Sequence, residues 1–583
     1  MGIRHLETFV RREVRGGVYK VNMEREIRSY AEAHNGMKPI IVFDLMALYR
    51  PFTFADLPGF LCGIRFNWSY RYMERFFQRL KEAGAELVFF YDGPVQEMKY
   101  DTWIQRQDEK YAKMIEIFDS IDQQISVKEI LKRFGARLPS CTFLPLVKLA
   151  KKHGNVHVTF SQECDQALAI YASQVKALAI VSNDTDFLIF KGFWRYWSSD
   201  INFETLTTYE YNRPLVVRTL GLTFYQMRLL ATLGGNDIVH YEEVLEFHQK
   251  IAPNYKKFHA IAQFVRDRNY QLNNYKDPSV FRTLLDDVFD RQQLNEDLIK
   301  RFRQSLDFYD TESPPPCINP SNDAIINLLL QEENTFAYQI MTNHPYNVTT
   351  FFTDMRDTNV GGRFVDLVIP IHARKAGIII YHRQAERDNT IKLVAKLSHN
   401  ASHSLQTVPI QFPDRITVPP LLDLYSKRDD IQKSLVNTKW QLFSWICSDR
   451  LDPSLLTPIP DVLRPTVVAL FYLMEKNIIQ LFEADLLLQI SYDVTFKTYD
   501  IDEVQYPDVL EERPFRLTFL WCKIYSYFSK ALRVVGLNNE NPLTPFDGVL
   551  FHSLYGSWQK QTKLSEQVKP WRIYERLFLA TSS

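Results

Sequence analysis

Seven acidic residues recur in the first half of the chain, and most of them directly follow short apolar runs. Asp44 follows the run at residues 40–43, and Asp92 follows the run at residues 87–91. Two pairs of acids, each with one residue between its members, follow two further apolar runs, and a seventh acid lies past a helix. The full set is Asp44, Asp92, Glu163, Asp165, Asp184, Asp186 and Asp237.

Each of these acids also has a purely structural interpretation. Asp92 precedes Gly93-Pro94 and would suit a turn, while Glu163 or Asp184 would suit a helix cap. Six carboxylates that meet at one place, however, repel each other unless cations neutralise them. Oxygen ligands in that number favour Mg²⁺, or Mn²⁺ as its substitute, over zinc. Two such ions can activate a water and stabilise the leaving oxygen of a phosphodiester, so the acids predict a two-metal nuclease centre.

Four predicted strands place the acids at one edge of a sheet. They cover residues 39–43, 86–91, 156–160 and 177–181, and helical stretches alternate with them. This alternation indicates an α/β class with a mostly parallel central sheet. Because ligands gather at the carboxyl ends of parallel strands, the first six acids are expected to converge there.

The length of the chain requires more than one domain. At 583 residues the chain exceeds the usual size of a single hydrophobic core. Proline residues at 314–316 interrupt the pattern and predict a linker. The predicted domains are an α/β domain at 1–250 with a mainly helical insertion at about 95–154, a helical extension with the linker at 251–320, and an α+β domain at 321–583.

The C-terminal domain is expected to be mostly helical with a small strand meander. The meander is predicted at residues 365–371, 377–382 and 391–397. Apolar residues at three- and four-residue spacing predict helices at 440–447, 466–476, 482–490 and 515–535. The sequence of this half carries no recognisable chemistry, so it either binds a protein partner or shapes a substrate channel.

Charge and apolar content limit the functional classes. Lys plus Arg and Asp plus Glu both total 69, so the net charge is zero, which counts mildly against a nucleic-acid binder. The longest apolar run, residues 467–474, is far shorter than a membrane span, and the N-terminus lacks the apolar core of a secretory signal. The six cysteines form no Cys-x-x-Cys pair, which argues against a zinc site or disulfide framework. We expect an intracellular protein without membrane contact.

Taken in order, the acidic blocks resemble those of the flap endonuclease and xeroderma pigmentosum group G superfamily of PIN-like nucleases. The similarity covers roughly residues 1–250 and includes the N-terminal block Met1-Gly2-Ile3-Arg4. Within the superfamily the chain is most similar to the asteroid branch, which keeps the nuclease module and carries its own C-terminal region. The resemblance implies a PIN-like fold with a helical arch insertion and a Mg²⁺-dependent endonuclease or exonuclease. It also implies DNA cleavage, a role in DNA repair, and the nucleus in preference to the cytoplasm.

The same resemblance assigns roles to residues that the acidic pattern does not reach. Lys99 and Arg106, seven and fourteen residues after Asp92, would contact the scissile phosphate, although a solvated helix face is the alternative. Tyr49 would stack on a base beside the cut, with a core tyrosine as the alternative. Gly2 and Arg4 of the N-terminal block would belong to the substrate-binding surface.

One departure from the superfamily leaves the substrate open. Where flap endonucleases continue with a Gly-rich helical hairpin, Asp237 is followed by Ile238-Val239-His240. Single-stranded, overhanging or flapped DNA is favoured over RNA, and neither is excluded. A catalytically quiet nucleic-acid-binding or scaffold protein on the same fold remains the alternative function. A phosphatase and a nucleotide-binding dehydrogenase are set aside, because their motifs do not follow the first predicted strand.

Overall fold

The structure is a computed structural model of the chain. It describes residues 2–96, 99–135, 143–160, 162–252, 256–268, 277–289, 294–312, 321–350, 352–386, 388–537 and 544–577. The predicted proline-rich linker lies outside these residues.

A seven-stranded sheet forms the centre of the N-terminal part that the structure describes. Its strands are β1 (Val18–Asn22), β2 (Ile40–Asp44), β3 (Glu86–Asp92), β4 (Asn155–Thr159), β5 (Ala179–Ser182), β6 (Arg195–Ser198) and β7 (Thr207–Tyr211). They are arranged in the order β1-β7-β6-β5-β2-β3-β4. The five strands from β6 to β4 run parallel, while β7 and β1 are antiparallel at one edge. The predicted α/β class with a mostly parallel sheet is confirmed.

The four predicted strands correspond to β2, β3, β4 and β5, within two residues at each end. The central β2 is an unbroken apolar run because helices cover both faces of a parallel sheet, and Ile41, Val42 and Phe43 are fully buried. Strands β1, β6 and β7 were not predicted. They carry exposed or polar side chains near the sheet edge, so they lack that continuous apolar signal.

The part of the chain before the linker also contains many helices. The helices up to the linker are α1 (Leu6–Glu13), α2 (Met23–Ala33), α3 (Tyr49–Ala55), α4 (Leu57–Leu61), α5 (Phe66–Glu82), α6 (Tyr100–Asp122), α7 (Val127–Phe134), α8 (Phe143–His153), α9 (Cys164–Gln174), α10 (Arg213–Leu220), α11 (Phe224–Gly234), α12 (Leu245–Ile251), α13 (Lys257–Asp267), α14 (Pro278–Val288) and α15 (Glu296–Phe308). The predicted insertion thus contains α6, α7 and α8.

The C-terminal part is mostly helical, as predicted. Its helices are α16 (Ala324–Gln331), α17 (Thr335–Met341), α18 (Phe364–Ile379), α19 (Leu421–Leu424), α20 (Asp429–Cys447), α21 (Arg464–Glu475), α22 (Leu481–Phe496), α23 (Glu512–Val534) and α24 (Gly548–Lys560). A small sheet contains β8 (Tyr346–Asn347), β9 (Thr390–Ala395) and β10 (Ser404–Pro409) in the order β10-β9-β8.

Two of the three predicted meander strands were wrong. Residues 365–371 and 377–382 belong largely to the single helix α18, and only the third prediction, 391–397, corresponds to a strand, β9. A helix that is buried on nearly all sides shows no polar face, so its apolar run could not be distinguished from buried strands.

The chain folds into two compact units, and the division does not follow a single cut near residue 320. The first unit contains residues 1–51, 74–102 and 150–319, with the central sheet. The second contains residues 52–73, 103–149 and 320–583. Most of the insertion therefore folds with the C-terminal part. Residue 250, the predicted domain boundary, falls within the segment 150–319 of the first unit.

Within the second unit the insertion is fixed by both charge and apolar packing. Arg516 of α23 donates hydrogen bonds of 2.9 and 2.8 Å to the carboxylate of Asp122 at the end of α6, and another of 2.9 Å to buried Asp354. Phe118 of α6 packs edge-on against Phe515, with 5.5 Å between the ring centroids. The insertion is thus an integral part of this unit's core.

The described residues contain no helix that is long and apolar enough to cross a bilayer.

Candidate metal centre

Asp44 and Ser182 connect the two central strands at their carboxyl ends. Asp44 is the last residue of β2, and the Ser182 hydroxyl at the end of β5 donates a 2.7 Å hydrogen bond to Asp44 Oδ2. The backbone N–H of Met46 donates to the other oxygen at 3.0 Å. These two parallel strands lie where the strand order reverses, with β3 and β4 on one side and β6 on the other, which is the usual ligand crevice of an open α/β sheet.

The pair Asp184 and Asp186 is held by a short 3₁₀ turn, Thr185–Leu188, directly after β5. The backbone N–H of Asp186 donates to Asp184 Oδ1 at 3.0 Å, so Asp184 caps the turn. Asp186 is 4% exposed. The two carboxylates are therefore fixed in place by the backbone that carries them.

Gly2 lies directly against this pair. It has a φ of +42°, and a Cβ atom at this position would stand 2.3 Å from Asp184 Oδ1 and 2.4 Å from the Thr185 hydroxyl. The next residue, Ile3, donates its backbone N–H to the same hydroxyl at 2.7 Å. Only glycine fits at this position, so the N-terminal block forms one wall of the site.

Asp165 completes a three-carboxylate group. It lies in the first turn of α9, which follows β4. One oxygen each from Asp165, Asp184 and Asp186 lie within 4.8 Å of one another. That spacing suits oxygen ligands around a single hard divalent cation.

Glu163 and Lys99 form a second part of the site. Lys99 Nζ donates a 2.5 Å hydrogen bond to Glu163 Oε2, and both side chains are largely buried. The other oxygen, Oε1, is buried and has no hydrogen-bond partner among the described residues. A buried carboxylate oxygen without a donor is costly unless a cation binds it.

Asp92 and Asp237 extend the negative field around these groups. Asp92 is the last residue of β3. Burial is the largest cause that raises its pKa, and the charge of Glu163 is the next. Burial, then the charges of Asp184 and Asp237, raise the pKa of Asp186 well above its ordinary value, and Asp237 also acts on Lys99. All seven predicted acids therefore lie in the first unit near this sheet edge or act on one another there.

The turn that carries Asp237 is built around buried Asn236. The Asn236 side-chain oxygen accepts the backbone N–H groups of Ile238 and Val239, at 3.0 and 2.9 Å. Its amide nitrogen donates to the Tyr309 hydroxyl at 3.2 Å. Tyr309 in turn donates to Asp186 Oδ1 at 2.8 Å, so it links the turn that carries Asp237 to the three-carboxylate group.

Two of the buried carboxyl groups, Asp44 and Asp165, have raised pKa values. Burial, with help from Asp92 and Asp184, raises the pKa of Asp44 to about 7. Burial and the charges of Asp184 and Asp44 raise the pKa of Asp165 well above its ordinary value. Such carboxylates become anionic readily only when positive charge is supplied.

The donor set fits a divalent metal centre. It consists of carboxylate oxygens, it leaves one buried oxygen of Glu163 without a donor, and it offers no cysteine or histidine ligand. Asp165, Asp184 and Asp186 would hold one Mg²⁺ or Mn²⁺ ion. Of the four remaining acids, Asp44, Asp92 and Glu163 could bind a second ion.

The other predicted substrate-binding residues differ in their surroundings. Arg106 lies on α6 in the second unit. Tyr49 is half-buried at the start of α3, five residues after Asp44. Arg4 lies 4.7 Å from the ring centroid of Tyr241 and forms an exposed ion pair with Glu242 at 3.4 Å. Their roles in binding remain predictions.

A family model described as the FAM120A-like domain matches residues 220–313. This segment includes Asp237 and Tyr309 and covers less than a fifth of the chain. It lies entirely in the first compact unit.

Curated relatives share less than a third of their residues with the chain. The constitutive coactivator of peroxisome proliferator-activated receptor gamma from Bos taurus is 28% identical over 255 residues, which is 44% of this chain and 36% of that protein. Its Homo sapiens counterpart is 29% identical and is covered over 28% of its length. The constitutive coactivator of PPAR-gamma-like protein 1 from Bos taurus is 20% identical over 360 residues, or 55% of this chain and 30% of that one. The matched segments thus span about a third of these relatives.

Solved structures of nucleases are similar to the chain in part. The catalytic core of Rad2 in complex with DNA substrate has a TM-score of 0.29 at 17% identity, covering 54% of this chain and 89% of that one. The Holliday junction-resolving enzyme GEN1 with product DNA and Mg²⁺ has a TM-score of 0.26 at 14% identity. The similarity covers 70% of this chain and 87% of that one.

Two residues of the site were missed by sequence reasoning. Ser182 stands two residues before Asp184, and a hydroxyl at a strand end beside an acid would have been a usable signal. Tyr309 lies 123 residues after its partner Asp186, near the end of a helical region, and nothing in the local pattern sets it apart from a core aromatic residue.

Proposed function

We propose that the chain is a metal-dependent phosphodiester hydrolase that cleaves nucleic acid at the carboxylate site of its first unit. The observation that carries this proposal is the approach of Asp165, Asp184 and Asp186, whose oxygens lie within 4.8 Å of one another. A protein that used this fold only as a scaffold would have no physical need to bury mutually repelling carboxylates. Hydrolysis of a phosphodiester needs such a site to hold positive charge at the reacting phosphate.

Each residue of the site has a distinct task in this proposal. When bound, Mg²⁺ supplies Lewis-acid stabilisation of the phosphate and lowers the pKa of a coordinated water. Asp44 is held in orientation by Ser182 and Met46, and Asp186 by Tyr309. Lys99, which is bound to Glu163, places a cation at the edge of the carboxylates, where it would neutralise charge on the phosphate.

The substrate class that we propose is DNA with single-stranded, overhanging or flapped ends. It rests on the resemblance of the acidic blocks to the flap endonuclease superfamily and its asteroid branch. A nuclear location and a role in repair belong to the same proposal. RNA is the second substrate class, because the hairpin of the superfamily is replaced after Asp237.

The second candidate is a protein that binds nucleic acid or a partner protein without cleaving. It is favoured by the relatives described as coactivators, which share sequence with 44% of the chain. The two functions differ in one measurable property, which is cleavage that depends on the acids.

The deciding experiment incubates the purified full chain with labelled single-stranded, overhanging, flapped and duplex DNA and RNA in Mg²⁺ or Mn²⁺. The test variant is Asp184→Asn with Asp186→Asn. The matched control is Glu32→Gln with Glu82→Gln. These substitutions remove the same charge from two exposed acids of the same unit.

Cleavage by the wild type and the control, but not by the test variant, is the expected result. If none of the three proteins cuts any substrate while all of them bind, the second candidate replaces the first. Cleavage that is retained by the test variant would indicate a contaminating nuclease.

A further inference from the structure

Helices α14 and α15 of the first unit line a groove with a volume of about 510 Å³. The lining positions recur every three or four residues along both helices, at 278–285 and at 296–307, so one face of each helix lines the groove. Phe281 of α14 packs against Phe302 of α15, with 6.1 Å between the ring centroids. As α-helix, the lining stretch of α15 is about 16 Å long.

The floor of the groove is apolar. Phe281 and Leu285 of α14 are 4% and 1% exposed, and both belong to the buried core of the unit. Ile299 of α15 also lines the groove and packs against that core, but it is only partly buried. A ligand that removed the exposed part of Ile299 from water would gain free energy from the hydrophobic effect. The floor therefore favours a ligand with apolar side chains.

Three basic side chains line the same groove and are exposed to solvent; they are Arg282, Lys300 and Arg303. Arg282 forms an ion pair with Asp286 at 3.2 Å, but both side chains are well exposed, so water screens the pair. The ammonium group of Lys300 has no partner within the part of the chain that the structure describes. The Arg303 guanidinium lies 4.6 Å from the ring centroid of Phe281, so its recorded contact is with an aromatic face. These cations are accessible to the anionic groups of a ligand.

Two acidic residues line the groove at its ends. Glu296 is the first residue of α15 and Asp307 lies in its last turn, whereas Lys300 and Arg303 lie between them along the helix. A nucleic-acid strand that followed the groove would bring a phosphate against a carboxylate at each end. A ligand whose acidic groups are confined to the middle complements this distribution of charge.

We propose that this groove binds an amphipathic helix of a partner protein, with its apolar face on Phe281, Leu285 and Ile299 and its carboxylates beside the basic side chains. Three turns of such a helix are about 16 Å long, which matches the groove. Apolar side chains at three- and four-residue spacing lie on one face, and acidic residues beside them would reach Lys300 and Arg303. The proposal goes beyond the cleavage proposed above, because it requires neither the carboxylate site nor a metal ion.

The experiment measures binding of a fluorescein-labelled helical peptide to the full chain by fluorescence anisotropy in EDTA. The peptide contains about 14 residues, with leucines at three- and four-residue spacing and glutamates beside them. The wild type is expected to bind it saturably. Lys300→Glu with Arg303→Glu should lower the affinity about tenfold, because carboxylates then face carboxylates. A second peptide with lysine in place of each glutamate should bind this variant more tightly than it binds the wild type.

The matched control is Lys38→Glu with Arg218→Glu. These substitutions change the charge by the same amount at two exposed positions of the first unit that do not line the groove. The control should keep the wild-type affinity for both peptides. Equal losses in the two variants would overturn the proposal, because they would reduce the effect to net charge. Failure of the wild type to bind the first peptide saturably would overturn it as well.

A second arm tests the apolar floor. Ile299→Gln changes a partly exposed position, so the variant should fold with a Tm close to that of the wild type, and its affinity for the leucine peptide should fall about tenfold. A peptide with alanine in place of each leucine should bind the wild type more weakly by a similar factor. If neither change alters the affinity, the contact is electrostatic alone and the proposal fails. If single-stranded DNA binding depends on Lys300 and Arg303 while peptide binding does not, the groove belongs to nucleic acid instead.

Discussion

The hydroxyl of Tyr309 donates a 2.8 Å hydrogen bond to Oδ1 of Asp186, 123 residues earlier in the chain. This bond is one of the causes that lower the pKa of Asp186 against the larger opposing effect of burial. It therefore favours the anionic carboxylate that a metal ion requires. Through Asn236, the same hydroxyl joins the turn of Asp237 to the carboxylate group.

Tyr309→Phe should weaken metal binding without unfolding the protein. The change removes one hydrogen bond to a buried carboxylate, which costs about 1 to 3 kcal/mol, and Asn236 keeps its bond to Ser305 at 2.8 Å. Because Asp186 then ionises less readily, the affinity for Mn²⁺ measured by calorimetry should fall several-fold. Tyr225→Phe, which removes an exposed tyrosine–carboxylate bond to Glu312, is the control and should leave the affinity unaltered. Equal affinities in all three proteins would contradict the role given to Tyr309.

Asp165→Asn should stabilise the metal-free protein and abolish its stabilisation by metal. In EDTA, folding bears the cost of holding this buried carboxyl beside Asp184 and Asp44, and the amide removes that cost. We expect the free energy of unfolding to rise by about 1 to 2 kcal/mol in EDTA. The wild type should gain about 2.7 kcal/mol when Mg²⁺ is present at a hundred times its Kd, and the variant should not.

These two changes are measured by chemical denaturation in EDTA and in Mg²⁺. An Asp165→Asn protein that is stabilised by Mg²⁺ as strongly as the wild type would exclude Asp165 as a ligand. A loss of stability in EDTA would show that the carboxylate has a structural partner instead.

Lys99→Met should reduce cleavage much more than it reduces metal binding. Lys99 bonds to Glu163 and stands beside the other carboxylates, so its ammonium group is positioned to neutralise a phosphate in the transition state. We expect the single-turnover cleavage rate to fall by about a hundredfold. Lys99→Arg should recover part of that rate because it retains the charge. Identical rates for both variants would assign Lys99 to the structural ion pair alone.

His248→Gln should make the free energy of unfolding less dependent on pH between about pH 4 and 6.5. Burial lowers the pKa of His248 from 6.5 to about 4, and its Nε2 lies 2.7 Å from the Leu233 carbonyl oxygen. The unfolded chain therefore binds a proton below pH 6.5 that the folded chain refuses until about pH 4. This contribution to the free energy of unfolding is fully present above pH 6.5 and is lost as the pH falls through this window, by about 3 kcal/mol.

Urea denaturation at several pH values between these limits measures the effect. Glutamine can donate to the same carbonyl but does not titrate, so the variant should lose less stability on acidification than the wild type. Parallel pH profiles of the two proteins would show that His248 titrates normally.

The sheet was predictable from sequence because its central strands are buried on both faces. The apolar runs of β2, β3 and β5 are continuous, so these strands appear in the sequence almost at their observed limits. The edge strand β4 is only partly buried and was recognised by its β-branched residues instead. The acids that follow them could be placed at one edge for the same reason. Helix α18 was misread because burial on all sides removes the polar face that distinguishes a helix from a strand.

The sequence by itself therefore determined four of the seven strands of the central sheet, the position of the acids after them and the chemistry that carboxylates can perform. Only the tertiary structure decided which distant groups complete that chemistry. Tyr309 reaches Asp186, and most of the insertion joins the C-terminal part through bonds such as that of Asp122 with Arg516. Periodicity encodes local structure, whereas contacts across a hundred residues or more depend on how the elements pack, and a single sequence carries no local signal of that packing.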